Sequence, residues 1–168
     1  MPNSVDVGKK QEQAIVRHAK ANGFPGADRI IRTGAGKGYA VRADEGDIWL
    51  CPGVIVQSKR LKGKTVAGTT QAKSTAEMEL EVPEWLAQTE AQRVAAKAAH
   101  AVLIVRRFGF SDVGKWWAFF SFYDLCYLAG VFGMRQPQLV GVPVRLTVAD
   151  AYTLLRAAGY GTPAEEGA

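Results

Sequence analysis

Residues 44–59 read DEGDIWLCPGVIVQSK. Two apolar runs flank Pro52-Gly53, a pair that marks a turn. They predict a β-hairpin with strands over about 47–51 and 54–59. Asp47 opens the first strand and Lys59 closes the second. Residues i and i+2 of a strand share a face, so Ile55, Gln57 and Lys59 point one way, and Asp47 and Trp49 point together on the partner. Whether the two sets meet depends on the turn. A two-residue loop, Pro52-Gly53, pairs 51 with 54 and 47 with 58, leaving Asp47 on the wrong face. A three-residue loop, Cys51-Pro52-Gly53, pairs 50 with 54 and 47 with 57. Three-residue hairpins favour a type I turn followed by a left-handed residue, which Gly53 suits. The second register is therefore expected, with Asp47 beside Gln57 and Lys59.

Such a cluster has a chemical use. A carboxylate and a side-chain carbonyl are hard oxygen ligands of the kind Mg²⁺ takes, alongside water and phosphate oxygens. A nearby ammonium orients a water and steadies negative charge. The competing reading is a surface hairpin with ordinary polar ends.

The chain of 168 residues is about one domain long, and its apolar fraction of 48% and charged fraction of 22% are those of a globular protein. No apolar run reaches the roughly 18 residues of a bilayer span, so no membrane is expected. The opening MPNSVDVGKKQEQ has no apolar core of a secretory signal. Cys51 and Cys126 lack paired spacing and suit reduced thiols in a cytoplasmic protein. His18 and His100 have no zinc-ligand spacing. Charge is uneven: residues 1–74 hold 13 Lys or Arg and 6 Asp or Glu, a net +7, whereas residues 75–168 hold 8 and 10, a net −2. The basic half suits a polyanion, nucleic acid first, or is simply a solvated face.

Along the chain, 8–22 predict a helix with Ile15, Val16 and Ala19 as its apolar stripe and Gly23 as its stop. Glu12 lies on that stripe. It either sits in a frayed first turn in water or points into a polar site. Residues 29–33 predict a short strand, and GAGKGYAVRADEGD is a Gly-rich basic loop without the P-loop pattern. Residues 60–82 read as a loop or flap. Pro83 opens a helix over about 84–99. Strands follow at 101–107 and 116–122, a helix at 123–132, a short strand at 142–146, and a last helix capped by Thr147 and stopped by Gly159. The tail 161–168 is expected to be disordered. Hairpins beside helical crossovers predict an α/β domain over 1–160, a mixed sheet with helices on both faces.

The stretch GDI, turn, VIVQSK resembles the signature of the PD-(D/E)xK nuclease superfamily, in which an Asp opens one strand and [D/E/Q]-x-K closes the next. The leading helix with Glu12, the Gly-rich segment before Asp47, the helix from Trp85, strand VLIVRR and segment KWWAFF resemble the phage and archaeal Holliday-junction-resolvase branch. The likeness covers about residues 8–122, and 142–160 more loosely. It implies a restriction-endonuclease-like core (α-β-β-β-α-β) with a C-terminal α/β extension. It further implies a Mg²⁺-dependent DNA endonuclease, with Mn²⁺ as an alternative metal, working as a phage- or prokaryote-encoded homodimer on branched DNA. By the same likeness Asp47, Gln57 and Glu12 hold the metal and Lys59 positions the attacking water. Gln57 stands where the family most often has Glu. Residues 123–141 look like an insertion whose aromatics suit a core or a dimer interface. Lys9, Lys10, Arg32, Lys37, Arg60, Lys62 and Lys64 are candidate phosphate contacts. Two other readings stay open: a restriction- or repair-type nuclease acting on duplex, nicked or flap DNA, and a catalytically inactive DNA-binding dimer.

Overall fold

In the computed structural model, residues 4–30, 46–60, 64–66, 69–71, 75–131 and 141–162 are described. Helix α1 spans Ser4–Ala21, and strands β1 (Asp28–Arg29), β2 (Ile48–Cys51) and β3 (Val54–Arg60) follow. A small separate hairpin pairs β4 (Lys64–Val66) with β5 (Thr69–Gln71). Helix α2 (Thr75–Ala95) crosses to β6 (His100–Arg106). A 3₁₀ turn at Val113–Lys115 leads into β7 (Trp117–Ser121), α3 (Phe122–Leu128), β8 (Pro143–Thr147) and α4 (Val148–Ala157).

The result is an α/β fold on one mixed six-stranded sheet ordered β1-β2-β3-β6-β7-β8. Among the described residues only β3 and β6 pair in parallel, and α2 carries the chain across between them. Successive side chains alternate between two helical layers. Val54, Val56, Val102 and Ile104 pack with Ile15, Val16 and Ala19 of α1 and with Ala151, Tyr152 and Leu155 of α4. Leu103, Val105 and Phe119 face the other way, onto Met78, Val82 and Leu86 of α2. Gln57 and Lys59 belong to this second face by their register against Leu103 and Val105.

Within 60–82, expected as a loop or flap, the described residues form the β4–β5 hairpin and, from Thr75, the first two turns of α2, so Pro83 lies inside the helix rather than at its start. Met78, Val82 and Leu86 recur every four residues and are all buried. That stripe, docked on the sheet, offsets the hydrogen bond that an interior proline removes. The helix also stops earlier than 99. Lys97 takes a left-handed φ of 52°, Lys97 N–H donates to the Val94 carbonyl (3.1 Å), and Ala98 N–H donates to that of Arg93 (3.0 Å). These are the two bonds of a Schellman end, made here without glycine. The strand expected over 29–33 appears as the pair Asp28–Arg29, with 31–33 outside the described residues. The segment 123–141 begins as α3, and 132–140 lie outside the described residues. The first residues of the tail are held: Thr162 N–H donates to the Gly23 carbonyl at 2.7 Å. Among the described residues, no helix is long and apolar enough to cross a membrane.

Candidate functional site

The β2–β3 hairpin reaches the expected pairing by a different route. At the turn Cys51 opposes Val54, which is the two-residue loop. Pro52 followed by Gly53 at φ 84° are the residues of a type II turn, whose hand splays the flanking strands. A β-bulge at Leu50 then adds one residue to β2, so that Trp49 opposes Ile55 and Ile48 opposes Val56. The parity is restored. Asp47 N–H donates to the Val56 carbonyl at 3.0 Å, and the Asp47 carboxylate lands beside Gln57 and Ser58. Gly46, at φ 100°, lets the chain enter at this point. A Cβ there would sit 3.3 Å from both Ile55 Cδ1 and the Val56 carbonyl oxygen.

Asp47 Oδ2 accepts from Gln57 Nε2 (2.9 Å) and from the Ser58 backbone N–H (2.8 Å). Charge-assisted bonds of this kind fix a carboxylate firmly. Gln57 is 5% exposed, and its Oε1 is buried without a hydrogen-bond partner. Lys59 Nζ reaches across to Gln88 Oε1 on α2 (2.9 Å), and Gln88 Nε2 in turn donates to Glu84 Oε1 (3.2 Å). From α1, Gln11 Nε2 donates to Ser58 Oγ (2.7 Å) and to the Lys59 carbonyl (2.9 Å), tying the helix to the end of β3. Glu12, the next residue, is half-buried in mid-helix rather than in a frayed first turn, and forms an ion pair with Arg29 of β1 at 2.6 Å. The arginine supplies the counter-charge that a shielded carboxylate requires.

Glu12, Asp47, Gln57 and Lys59 thus line one cleft of about 540 Å³, together with Ser58, Gln88 and Gln92. α1 brings Glu12, the mouth of β2 brings Asp47, and β3 brings Gln57 and Lys59. The sequence reasoning missed Gln11, Gln88 and Gln92. No motif marks them, although Gln88 and Gln92 stand four apart and so share a helix face. Gln92 Oε1, like Gln57 Oε1, is buried and unpartnered.

Two carboxylates reach the cleft, and among the described residues no group of three His, Cys, Asp or Glu side chains is placed to hold a metal. A cation here would therefore draw on amide oxygens as well. Of the candidate phosphate contacts, Lys9 and Lys10 are exposed on α1 and Arg60 is exposed at the end of β3, next to Lys59. Lys64 lies in β4, and Arg32, Lys37 and Lys62 lie outside the described residues.

Other titratable groups serve the core. His100 Nδ1 lies 2.8 Å from Asp124 Oδ1, and Ser121 Oγ donates to Asp124 Oδ2 at 2.6 Å, all three buried. Burial pushes the Cys51 thiol and the Tyr152 hydroxyl up, so both stay neutral. Burial lowers His18, with Asp112 acting against it.

Comparison of the chain with models of known protein families, with curated proteins and with solved structures found no match to any of them.

Proposed function

We propose that this chain is a Mg²⁺-dependent DNA endonuclease acting on branched DNA, built on a restriction-endonuclease-like core of α1, β1, β2, β3, α2 and β6. The observation that carries this reading is the meeting of Glu12, Asp47, Gln57 and Lys59 in one open cleft, from three separate stretches of sequence. The order of elements supports it, with an antiparallel β1-β2-β3 meander, a helical crossover, and β6 parallel to β3.

The donor set fits a hard cation. Asp47 and Glu12 offer carboxylate oxygens, and the buried carbonyl oxygen of Gln57 lacks any partner of its own. These three residues would hold the metal, leaving further positions to water and phosphate. When bound, it would acidify a water and neutralise charge building on the phosphodiester. The residues themselves do the positioning. Gln57 Nε2 and Ser58 N–H keep Asp47 in one orientation. Gln88 holds the Lys59 ammonium over the cleft, where it orients the attacking water and draws charge from the phosphate oxygens. Gln11 anchors the Lys59 backbone. Lys9, Lys10 and Arg60 contact phosphates without reading bases, so binding weakens steeply with salt. A homodimer would present two clefts, one to each of two opposed strands.

The test gives the purified protein four-way junction, flap and linear duplex DNA, with Mg²⁺ and with chelator. Paired nicks in the junction alone, only with Mg²⁺, are expected. Cleavage of linear duplex or flap moves the substrate to restriction- or repair-type DNA. Binding with no cleavage in Mg²⁺ or Mn²⁺ leaves a DNA-binding module and ends the nuclease reading.

A further inference from the structure

The turn from β6 to β7 reads Arg106-Arg107-Phe108-Gly109-Phe110. Phe108 stands 69% exposed at its tip, where burial gives it no role. The Arg107 guanidinium carbon lies 4.0 Å from the Phe110 ring centroid and 4.3 Å from that of Trp117. Arg145 approaches the same Trp117 ring, at 5.0 Å. Two cations therefore converge on one indole. Arg145 is neutralised by Glu79 at 2.8 Å, whereas among the described residues Arg107 has no carboxylate partner.

The position is specific. Lys59 opposes Val105, and Val105 opposes Trp117. Strands are spaced by about 4.8 Å, so the Trp117 backbone lies roughly 10 Å from that of Lys59 along the same row. A nucleic-acid strand lying along that row would pass both places. An arginine held against two rings offers a pre-positioned phosphate ligand, and an exposed phenyl ring beside it offers a surface for a base.

We propose that the β6–β7 turn is a second nucleic-acid contact, with Arg107 on a phosphate and Phe108 stacked on an unpaired base. The strand bound there continues toward the cleft at Lys59. Only that continuation rests on the nuclease reading of the cleft; the binding does not.

The experiment measures binding of the full chain to labelled single-stranded DNA and to a four-way junction by fluorescence anisotropy, in chelator, over a salt series. Phe108→Ala is expected to weaken binding about tenfold to a hundredfold, and Phe108→Trp to restore it. Arg107→Ala should lower the slope of log affinity against log salt by about one. Wild-type affinity in both alanine variants overturns the inference, as does a wild-type chain that binds neither DNA, or a Phe108→Trp variant as weak as Phe108→Ala. Cleavage is not read here. A chain that binds through Phe108 yet never cuts would end the nuclease reading and leave this one standing.

Discussion

Gln57→Glu probes the chemistry of the cleft more sharply than a truncation, because it keeps the shape and changes one charge. Gln57 is 5% exposed, and its Nε2 lies 2.9 Å from Asp47 Oδ2. Glutamate puts a second carboxylate oxygen where that N–H now donates. Two unit charges about 4 Å apart repel by about 4 kcal/mol at an effective dielectric of about 20. Protonation caps the cost. Neutralising a glutamate of ordinary pKa, about 4.3, takes about 3.7 kcal/mol at pH 7 and about 1 kcal/mol at pH 5. The neighbour raises the folded-state pKa above the unfolded one, so the variant's deficit grows as pH rises. In chelator at pH 7 the variant should lose about 2–4 kcal/mol, a fall in Tm of about 4–16 °C for a chain of this size. At pH 5 most of that loss should vanish. Saturating Mg²⁺ supplies the missing counter-charge, so it should raise the Tm of the variant more than that of the wild type, with cleavage retained. Thermal unfolding followed by circular dichroism, at both pH values with and without Mg²⁺, reads all of this. Equal Tm for the two proteins in chelator at pH 7, or the same Mg²⁺-induced rise in both, would mean that residue 57 neither faces the Asp47 charge nor meets the metal.

Gln88→Ala removes the partner of the Lys59 ammonium from an exposed helix position. Stability should stay within about 0.5 kcal/mol while the cleavage rate falls about tenfold, as single-turnover kinetics will tell. Asp124→Ala strands His100 and Ser121 in the core. Denaturant unfolding should show a loss of about 3–5 kcal/mol, and a loss under 1 kcal/mol would mean that the cluster does not hold the core. Burial keeps the pKa of His18 below its ordinary value of 6.5, so the unfolded chain binds more protons. This contribution is complete above pH 6.5 and is lost as pH falls below it. His18→Gln should therefore lose less stability than wild type between pH 7 and pH 5, measured by urea midpoints.

Periodicity made most of the architecture legible. Ile15, Val16 and Ala19 announced the buried face of α1, and the alternation of 47–59 announced a hairpin. Thr147 announced a helix start: its Oγ1 accepts from the Asp150 N–H at 3.2 Å. The meeting of Asp47 with Gln57 was expected, but through the wrong turn. A bulge leaves no mark in a sequence, since Leu50 and Cys51 are both apolar whichever strand face they take. Pro83 outweighed a stripe that was also there to be seen, Met78-Val82-Leu86, because its penalty is local whereas the burial that offsets it comes from β6 and β7. The partner of Glu12 is Arg29, 17 residues away, and the partner of Lys59 is Gln88, 29 residues away. Pairings at such separations belong to the folded sheet and to no local pattern.

In the proposed function this cleft cuts phosphodiester bonds with a divalent metal. The most direct measurement compares nicking of a four-way junction by wild type, Asp47→Ala and Lys59→Ala in Mg²⁺ and in chelator, with DNA binding followed in parallel. Cleavage by wild type in Mg²⁺ alone is expected, and none by either variant although both still bind the junction. Cleavage surviving in both variants, or undiminished in chelator, would mean that this cleft is not a metal-dependent nuclease site.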